Sequence, residues 1–164
     1  MTPTLSRPPL SLQPKVKCFG SVAALCAEGL LSAGDQDAVP TINLEVAPRV
    51  RESVSWEKKI VLQLSDTELP TLCCVLLGFL PAIHLKRPGK GIEVIRQPNK
   101  LFVKATAGAG VNYLLPITIG DTFRLSALCL SQLKLQSGIQ DKGAIVAALR
   151  GAAALYQADE SRRN

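Results

Sequence analysis

Residues 54–76 read VSWEKKIVLQLSDTELPTLCCVL, and residues 111–129 read VNYLLPITIGDTFRLSALC. Both segments run from a strand-like alternation into an apolar stretch with helical spacing, and their matched positions lie at a constant offset of 53 residues. The matched positions are Leu62, Leu64, Ser65, Glu68, Leu72 and Val75 in the first copy and Leu115, Ile117, Thr118, Asp121, Leu125 and Leu128 in the second. A duplicated strand-then-helix unit indicates a fold built from two related halves.

Each copy has a hydroxyl residue followed three positions later by an acid, where the strand-like pattern gives way to the helical one. Ser65 and Glu68 form the first pair, and Thr118 and Asp121 form the second. In such a capping box the hydroxyl accepts a backbone N–H of the first helical turn, and the acid reaches back to another N–H. Both helices are therefore expected to begin at these boxes, with Asp66 or Thr67 as alternative caps in the first copy.

Alternating apolar and polar residues predict four strands before the first helix, with a loop over residues 28–40, where Gly, Asp and Pro cluster. On the fourth strand Trp56, Ile60, Leu62 and Leu64 are expected to share one face. Tight turns predict four antiparallel strands in the second half. The predicted strands are 10–17, 21–27, 41–46 and 55–64, then 82–87, 92–96, 101–107 and 111–117.

Three helices complete the pattern. The first carries an apolar stripe from Leu69 to Leu80 and ends at Pro81. The second, residues 121–136, is apolar on more than one side, which favours self-association. The third covers residues 141–157. The predicted fold is α+β, with two antiparallel four-stranded sheets, each followed by a helix, plus an extra C-terminal helix. Its expected divisions are a flexible arm (1–9), a core domain (10–137), the added helix (138–158) and a disordered tail (159–164).

Charge favours a polyanionic partner. Nineteen Lys and Arg oppose thirteen Asp and Glu, which gives a net charge of +6 and a pI near 9.2. Such an excess is typical of proteins that bind nucleic acid or an anionic membrane surface. No apolar run approaches the roughly 18 residues of a spanning helix. Of the two kinds of partner, nucleic acid is expected and a membrane is not.

The five cysteines are odd in number and lack CxxC spacing, and His84 is the single histidine. The cysteines are predicted to be buried thiols in a protein of a reducing compartment, and no metal or other cofactor is expected. The expected location is cytoplasmic and nucleoid-associated, with an organelle as the alternative. The sequence has no nucleophile motif and no metal motif. Gly108-Ala-Gly110 superficially suggests a phosphate loop, but it joins two predicted strands, whereas a phosphate loop is followed by a helix. We therefore expect no enzymatic activity and no catalytic residues.

Cations cluster on the predicted sheets, interleaved with aromatic rings. Ammonium and guanidinium groups follow phosphates while rings stack on bases, as in a groove for single-stranded nucleic acid. Trp56 and Tyr113 could equally belong to the core, and lysines at hairpins also protect sheet edges. The candidate binding residues are Lys15, Lys17, Phe19, Arg49, Arg51, Trp56, Lys58, Lys59, Lys86, Arg87, Lys90, Arg96, Lys100, Phe102, Lys104 and Tyr113.

The segment from Val54 to Leu69 resembles the aromatic-x-Trp-Glu-Lys-basic strand that leads into the first helix of Whirly proteins, which bind single-stranded DNA in plants. Residues 10–15 (LSLQPK), 99–104 (NKLFVK) and 115–118 (LPIT) resemble further Whirly segments. The similarity covers residues 10–137. The plant Lys-Gly-Lys-Ala-Ala-Leu box is missing before the first strand, where residues 5–9 read LSRPP.

This resemblance implies a homotetramer with helices at its centre and sheets radiating as blades, along which single strands run with little sequence preference. Trp56, Lys58 and Lys59 would lie on that surface, with Lys15 near the strand path. The leading hypothesis is sequence-tolerant binding of single-stranded DNA in DNA protection, recombination or replication. The alternatives are an RNA-binding or annealing factor on the same fold, and a structural oligomerisation module that binds an acidic protein.

Overall fold

The computed structural model describes residues 14–32 and 38–163, with side chains as far as residue 156. It confirms the predicted α+β class, with two antiparallel sheets, a helix after each and a third helix at the C-terminal end. The first half contains β1 (Lys15–Phe19), β2 (Ala23–Leu31), β3 (Pro40–Val50), β4 (Ser53–Val54), β5 (Ile60–Gln63) and α1 (Glu68–Leu76). The second half contains β6 (Ala82–Arg87), β7 (Lys90–Gln97), β8 (Lys100–Ala107), β9 (Val111–Ile117), α2 (Ile119–Ser137) and α3 (Lys142–Arg163).

The first sheet has the order β1-β2-β3, and β3 then pairs with both β4 and β5. A single 3-10 turn at Trp56–Lys58 separates β4 from β5, so the fourth strand is interrupted. The prediction that Trp56 shares a strand face with Ile60 and Leu62 is therefore wrong. Ile60 and Leu62 are buried, whereas Trp56 lies in the turn and is half-buried.

The loop predicted from residue 28 begins later, because β2 continues to Leu31. Gly29 explains how the strand passes close under α2. A Cβ added at Gly29 would lie 2.7 Å from Cδ of Gln132, so any other residue here would require that side chain to move. The buried Gln132 Nε2 donates to the Thr41 carbonyl oxygen at 2.8 Å and thereby ties α2 to β3. Residues 10–13 of the first predicted strand lie outside the described residues.

The second sheet is a meander, β6-β7-β8-β9, with each strand paired to the next. The first and last residues of its strands agree with the predictions within two residues, because every connection is a tight turn. Ile92, Val94, Leu101 and Val103 face inwards and are buried. The inner faces of both sheets, with one side of each helix, enclose one aliphatic core.

All five cysteines are buried and free, as predicted. Burial raises the pKa of the Cys73 thiol to about 12, and burial is also the largest cause that raises the pKa of Cys18 to about 12. Burial raises the pKa of Cys129 as well. Because the thiolate is the reactive form, these thiols serve as small apolar side chains.

The first capping box forms in both directions. The Glu68 N–H donates to Ser65 Oγ at 3.2 Å, and the Ser65 N–H donates to Glu68 Oε1 at 2.9 Å. The second box forms only in part. The Asp121 N–H donates to Thr118 Oγ1, but the Asp121 carboxylate accepts from Arg124 at 2.8 Å instead of reaching back.

Two helix ends differ from the predictions. The first helix ends at Leu76 and not near Leu80, because Gly78 has a φ of +86° and turns the chain. Glycine adopts this left-handed conformation without the steric cost of a Cβ. The last helix continues to Arg163, so the tail predicted to be disordered is helical as far as that residue.

Side chains of the second half close the free edge of β5, and we call this set of contacts the seam. Tyr113 Oη donates to the Lys58 carbonyl oxygen at 3.0 Å, just before β5. Lys90 Nζ donates to the Val61 carbonyl oxygen, and Arg87 Nη2 donates to the Gln63 carbonyl oxygen at 2.8 Å. The seam therefore supplies donors to an edge strand that would otherwise present unpaired carbonyls.

An ion pair anchors one end of the seam. The Arg87 guanidinium donates to Glu68 Oε1 at 2.6 Å and to Glu68 Oε2 at 3.0 Å. The pKa of Glu68 lies below its ordinary value, and the hydrogen bond from Arg87 is the largest cause. This single carboxylate thus joins the start of α1 to the end of β6, while it also completes the first capping box.

Arg87→Met should destabilise the protein by about 2 kcal/mol at neutral pH, because it removes charge-assisted hydrogen bonds from a partly buried carboxylate. Urea unfolding measures the change. Since the folded-state pKa of Glu68 is lowered, its stabilisation is present above the ordinary carboxyl pKa and is lost as pH falls through the lowered value. The difference between wild type and Arg87→Met should therefore shrink in acid.

Lys86→Met is the matched control, because Lys86 is adjacent, exposed and without an ion-pair partner among the described residues. It should change stability by less than about 0.5 kcal/mol. Equal destabilisation by the two variants would contradict a structural role for the seam.

Candidate nucleic-acid interface

The outward side of β1 carries Lys15, Lys17 and Phe19, while Val16 and Cys18 point into the core. Strand pairing places Lys15 opposite Glu28 and Lys17 opposite Cys26. Lys15 Nζ lies 4.0 Å from Glu28 Oε2. Phe19 is 58% exposed, which is unusual for a phenylalanine on a sheet.

The 3-10 turn adds the indole ring to this face. Lys17 Nζ lies 5.8 Å from the centroid of the Trp56 ring, which is within the range of a cation–π contact. Lys58 is exposed on the same turn. Lys59 Nζ contacts Glu45 Oε2 at 2.9 Å, and the hydrogen bond to Glu45 is the largest cause that raises the pKa of Lys59.

The outward side of the second sheet forms a second cationic face. Phe102 is half-buried, lies between Lys100 and Lys104 along β8, and is opposite Ile95 on β7 and Pro116 on β9. The ring therefore lies in an apolar row with a lysine on either side along the strand.

The adjacent rows of this face carry His84, Lys86, Glu93 and Thr106. His84 Nδ1 lies 3.2 Å from Glu93 Oε1, and Glu93 is opposite Lys104 on the neighbouring strand. Together these rows surround an open cavity of about 420 Å³ near the β6–β7 turn.

Five of the sixteen candidate residues have side-chain donors bound to backbone carbonyl oxygens of the protein. Arg87, Lys90 and Tyr113 belong to the seam. Arg96 Nη1 donates to the Val75 carbonyl oxygen at 2.8 Å, at the C-terminal end of α1. Arg49 donates to the Gly20 and Glu52 carbonyl oxygens and stabilises the turns around β3.

Arg51 lies at the turn between β3 and β4, with a φ of +61° and an exposed side chain. It is the remaining candidate away from both sheet faces. The structure therefore divides the other fifteen candidates into structural donors, lysines paired with glutamate, and lysines and rings on the outward faces. The last group comprises Lys17, Phe19, Trp56, Lys58, Lys86, Lys100, Phe102 and Lys104.

None of the lysines in this group has an ion-pair partner among the described residues. Four residues that are not among the sixteen candidates also shape these faces: Glu28, Glu45, Glu93 and Thr106. Their signal is the alternation of polar residues along β2, β3, β7 and β8. The strand register is needed to convert that alternation into pairs.

Two further findings concern the described part of the chain. It brings together no group of three or more His, Cys, Asp or Glu side chains that could hold a metal ion. None of its helices combines the length and apolar character needed to cross a membrane.

Comparison with known proteins finds similar structures but no similar sequence. No family model and no curated protein matches the sequence. The chain is similar to Trypanosoma bruciei MRP1/MRP2 in crystal structures, with a TM-score of 0.59 and 10% sequence identity, over 77% of this chain and 88% of that chain. It is also similar to a guideRNA-binding protein complex bound to a gRNA, with a TM-score of 0.49 and 12% identity, over 69% of this chain and 92% of that chain. At such low identity, the first likeness shows a shared fold alone.

Proposed function

We propose that this protein binds single-stranded nucleic acid without catalysis, along the outward faces of its two sheets. The observation that carries the proposal is the placing of unpaired lysines beside accessible rings on both faces. Lys17 lies over Trp56 and alternates with the exposed Phe19 along β1. Lys100 and Lys104 lie on either side of Phe102 on β8.

The chemistry of these faces suits an unpaired strand. Lysine neutralises phosphates as a point charge, and each base that stacks on an aromatic ring contributes about 1–3 kcal/mol. Every base has a π-face, so stacking tolerates any sequence. Base-specific recognition needs bidentate groups aimed at base edges, and the groups on these faces are mainly ammonium groups and rings.

Single-stranded DNA is the leading ligand, because the Trp56 segment resembles that of Whirly proteins. The protein would then act in DNA protection, recombination or replication, in the cytoplasm close to the nucleoid. RNA is the second candidate, since phosphates and base faces are common to both polymers and both would contact the same lysines and rings.

A fluorescein-labelled oligothymidine of about 30 nucleotides should bind at low salt, with an affinity that falls by a log–log slope of about 0.7 per phosphate neutralised. Replacing both Lys17 and Lys104 by Gln should reduce the slope by about 1.4, because two phosphate contacts are lost. Fluorescence anisotropy measures both, and emission of the single tryptophan, Trp56, should be quenched on binding.

The matched control replaces Lys134 and Lys142 by Gln, which changes the net charge equally but on α2 and α3. It should leave the slope nearly unchanged. Equal losses in the two double variants would show that net charge alone attracts the strand. If the oligothymidine does not bind at low salt, the proposal fails. Competition between oligodeoxyuridine and oligouridine determines the preferred polymer.

We also propose that the protein forms a homotetramer through its helices. On the side of α2 opposite the core, Ile119 is 72% exposed and Phe123 is 73% exposed. Ala127 continues this stripe at helical spacing and is exposed, and the half-buried Leu130, which packs against the core, borders it. An apolar stripe at the helices would meet its copies at the centre of an assembly and leave the sheet faces outside.

Phe123→Asp should convert the tetramer to smaller species, because it places a charge in the middle of the proposed interface. Multi-angle light scattering of the wild type and the variant measures the solution mass. Thr122→Asp, one residue away on α2, is the control and should leave the mass unchanged. A wild type with the mass of one chain would contradict the proposal.

A further inference from the structure

The cavity near the β6–β7 turn lies on the outward face of the second sheet, where a side chain is missing. Strand pairing places Lys86 on β6, Gly91 on β7 and Thr106 on β8 directly opposite one another. Directly opposite residues point to the same side of a sheet. Gly91 therefore leaves a gap between the Lys86 and Thr106 side chains, with backbone as its floor.

The neighbouring positions explain why the cavity is local. The other outward positions of β7 are Glu93, Ile95 and Gln97, and each of them has a side chain that covers the sheet. At the open end, the Gly108 N–H donates to the Gly89 carbonyl oxygen at 3.0 Å and joins the two turns. Gly89 and Gly108 have no side chains, and no other group lies within 4 Å of the position that a Cβ would take at either residue. The cavity is therefore open to solvent at this end.

The groups that line the cavity combine positive charge with hydrogen-bonding capacity. Arg87 and Lys90 contribute positive charge beside it, although their donors bind seam carbonyls and Glu68. Lys86 is exposed and has no ion-pair partner among the described residues. The Thr106 hydroxyl lies 3.8 Å from where a Cβ of Gly91 would be.

The His84–Glu93 pair forms the wall of the cavity on the side away from the two turns. Its imidazole and carboxylate can donate and accept hydrogen bonds at the edge of a flat polar ring. The volume of about 420 Å³ lies within the range of small-molecule sites, roughly 300–1,000 Å³. An anionic group beside Lys86 and a planar group over Gly91 would fill complementary parts of this cavity.

We propose that this cavity binds one nucleotide unit, with its phosphate beside Lys86 and its base over Gly91 against the His84–Glu93 wall. The inference deepens the proposed function and rests on it for the source of the nucleotide, which is a residue of the bound strand. A free nucleoside monophosphate has the same chemistry, and the experiments below separate the two sources.

The first experiment fills the cavity without changing charge. Thr106→Leu extends an aliphatic side chain over Gly91 and should weaken oligothymidine binding about tenfold, because one base loses its place. Thr106→Val has nearly the volume of threonine and should weaken it by no more than about twofold. Thermal unfolding verifies that both variants are folded. Equal affinities for the two variants, with wild-type binding intact, would overturn the inference.

A charge-matched pair of variants provides the second arm. Lys86→Gln and Lys100→Gln remove equal charge from the same face, but only Lys86 lines the cavity. Lys86→Gln should weaken binding about threefold more than Lys100→Gln. Equal effects would mean that the strand follows a diffuse positive surface, which would count against a nucleotide site here.

The third arm is independent of strand binding. Adding thymidine monophosphate to the wild-type protein should shift the backbone amide resonances of Gly91 and Thr106 in a ¹H–¹⁵N spectrum, and inorganic phosphate alone should shift them less. Equal shifts by the two ligands would reduce the cavity to a general anion site and overturn the inference. If thymidine monophosphate shifts these amides but the oligothymidine does not bind, the nucleotide site is supported and the proposed strand-binding function fails.

Discussion

The free edge of β5 is where hydrogen bonds from the second sheet join it to the first. An edge strand presents carbonyl oxygens that need donors, and the donors come from Tyr113, Lys90 and Arg87 of the second sheet. These bonds hold one sheet against the other, with their inner faces on a shared core. The Arg87–Glu68 pair extends the seam to the start of α1. Because the inner faces are fixed in this way, the outward faces are presented to solvent.

The cations outside the seam have a different role. Lys15 and Lys59 contact glutamates on the first sheet, which lowers the net charge that they contribute. Lys17, Lys86 and Lys100 have no such partner within the described ranges, and they surround rings or line a cavity. A lysine with no acidic partner remains available to a phosphate, whereas a seam donor cannot leave its carbonyl without a cost in stability. The proposed binding surface therefore consists of the outward lysines and rings that are bound neither in the seam nor to a glutamate.

Local patterns predicted the elements whose causes are local. Ser65 and Glu68 are three residues apart, so their capping box could be read from the sequence, and tight turns fixed the second sheet. The break at Trp56 and the length of β2 could not be predicted in this way. Gly29 lies within β2, and Gln132, distant in sequence, occupies the space that a side chain at Gly29 would take. The candidate cations were selected by type, but a hydrogen bond from Lys90 to Val61 depends on how the two sheets pack.

Lysine footprinting by acetylation, with and without a saturating oligothymidine, distinguishes the lysine bound in the seam from those available to a strand. Lys90 should react slowly in both states, because its amine is bound to a carbonyl oxygen. Lys17, Lys86 and Lys100 should react quickly in the free protein and become protected when the strand binds. Unchanged reactivity of these three lysines in the complex, or a fast reaction of Lys90 in the folded protein, would show that the seam does not divide the lysines into structural and strand-binding groups.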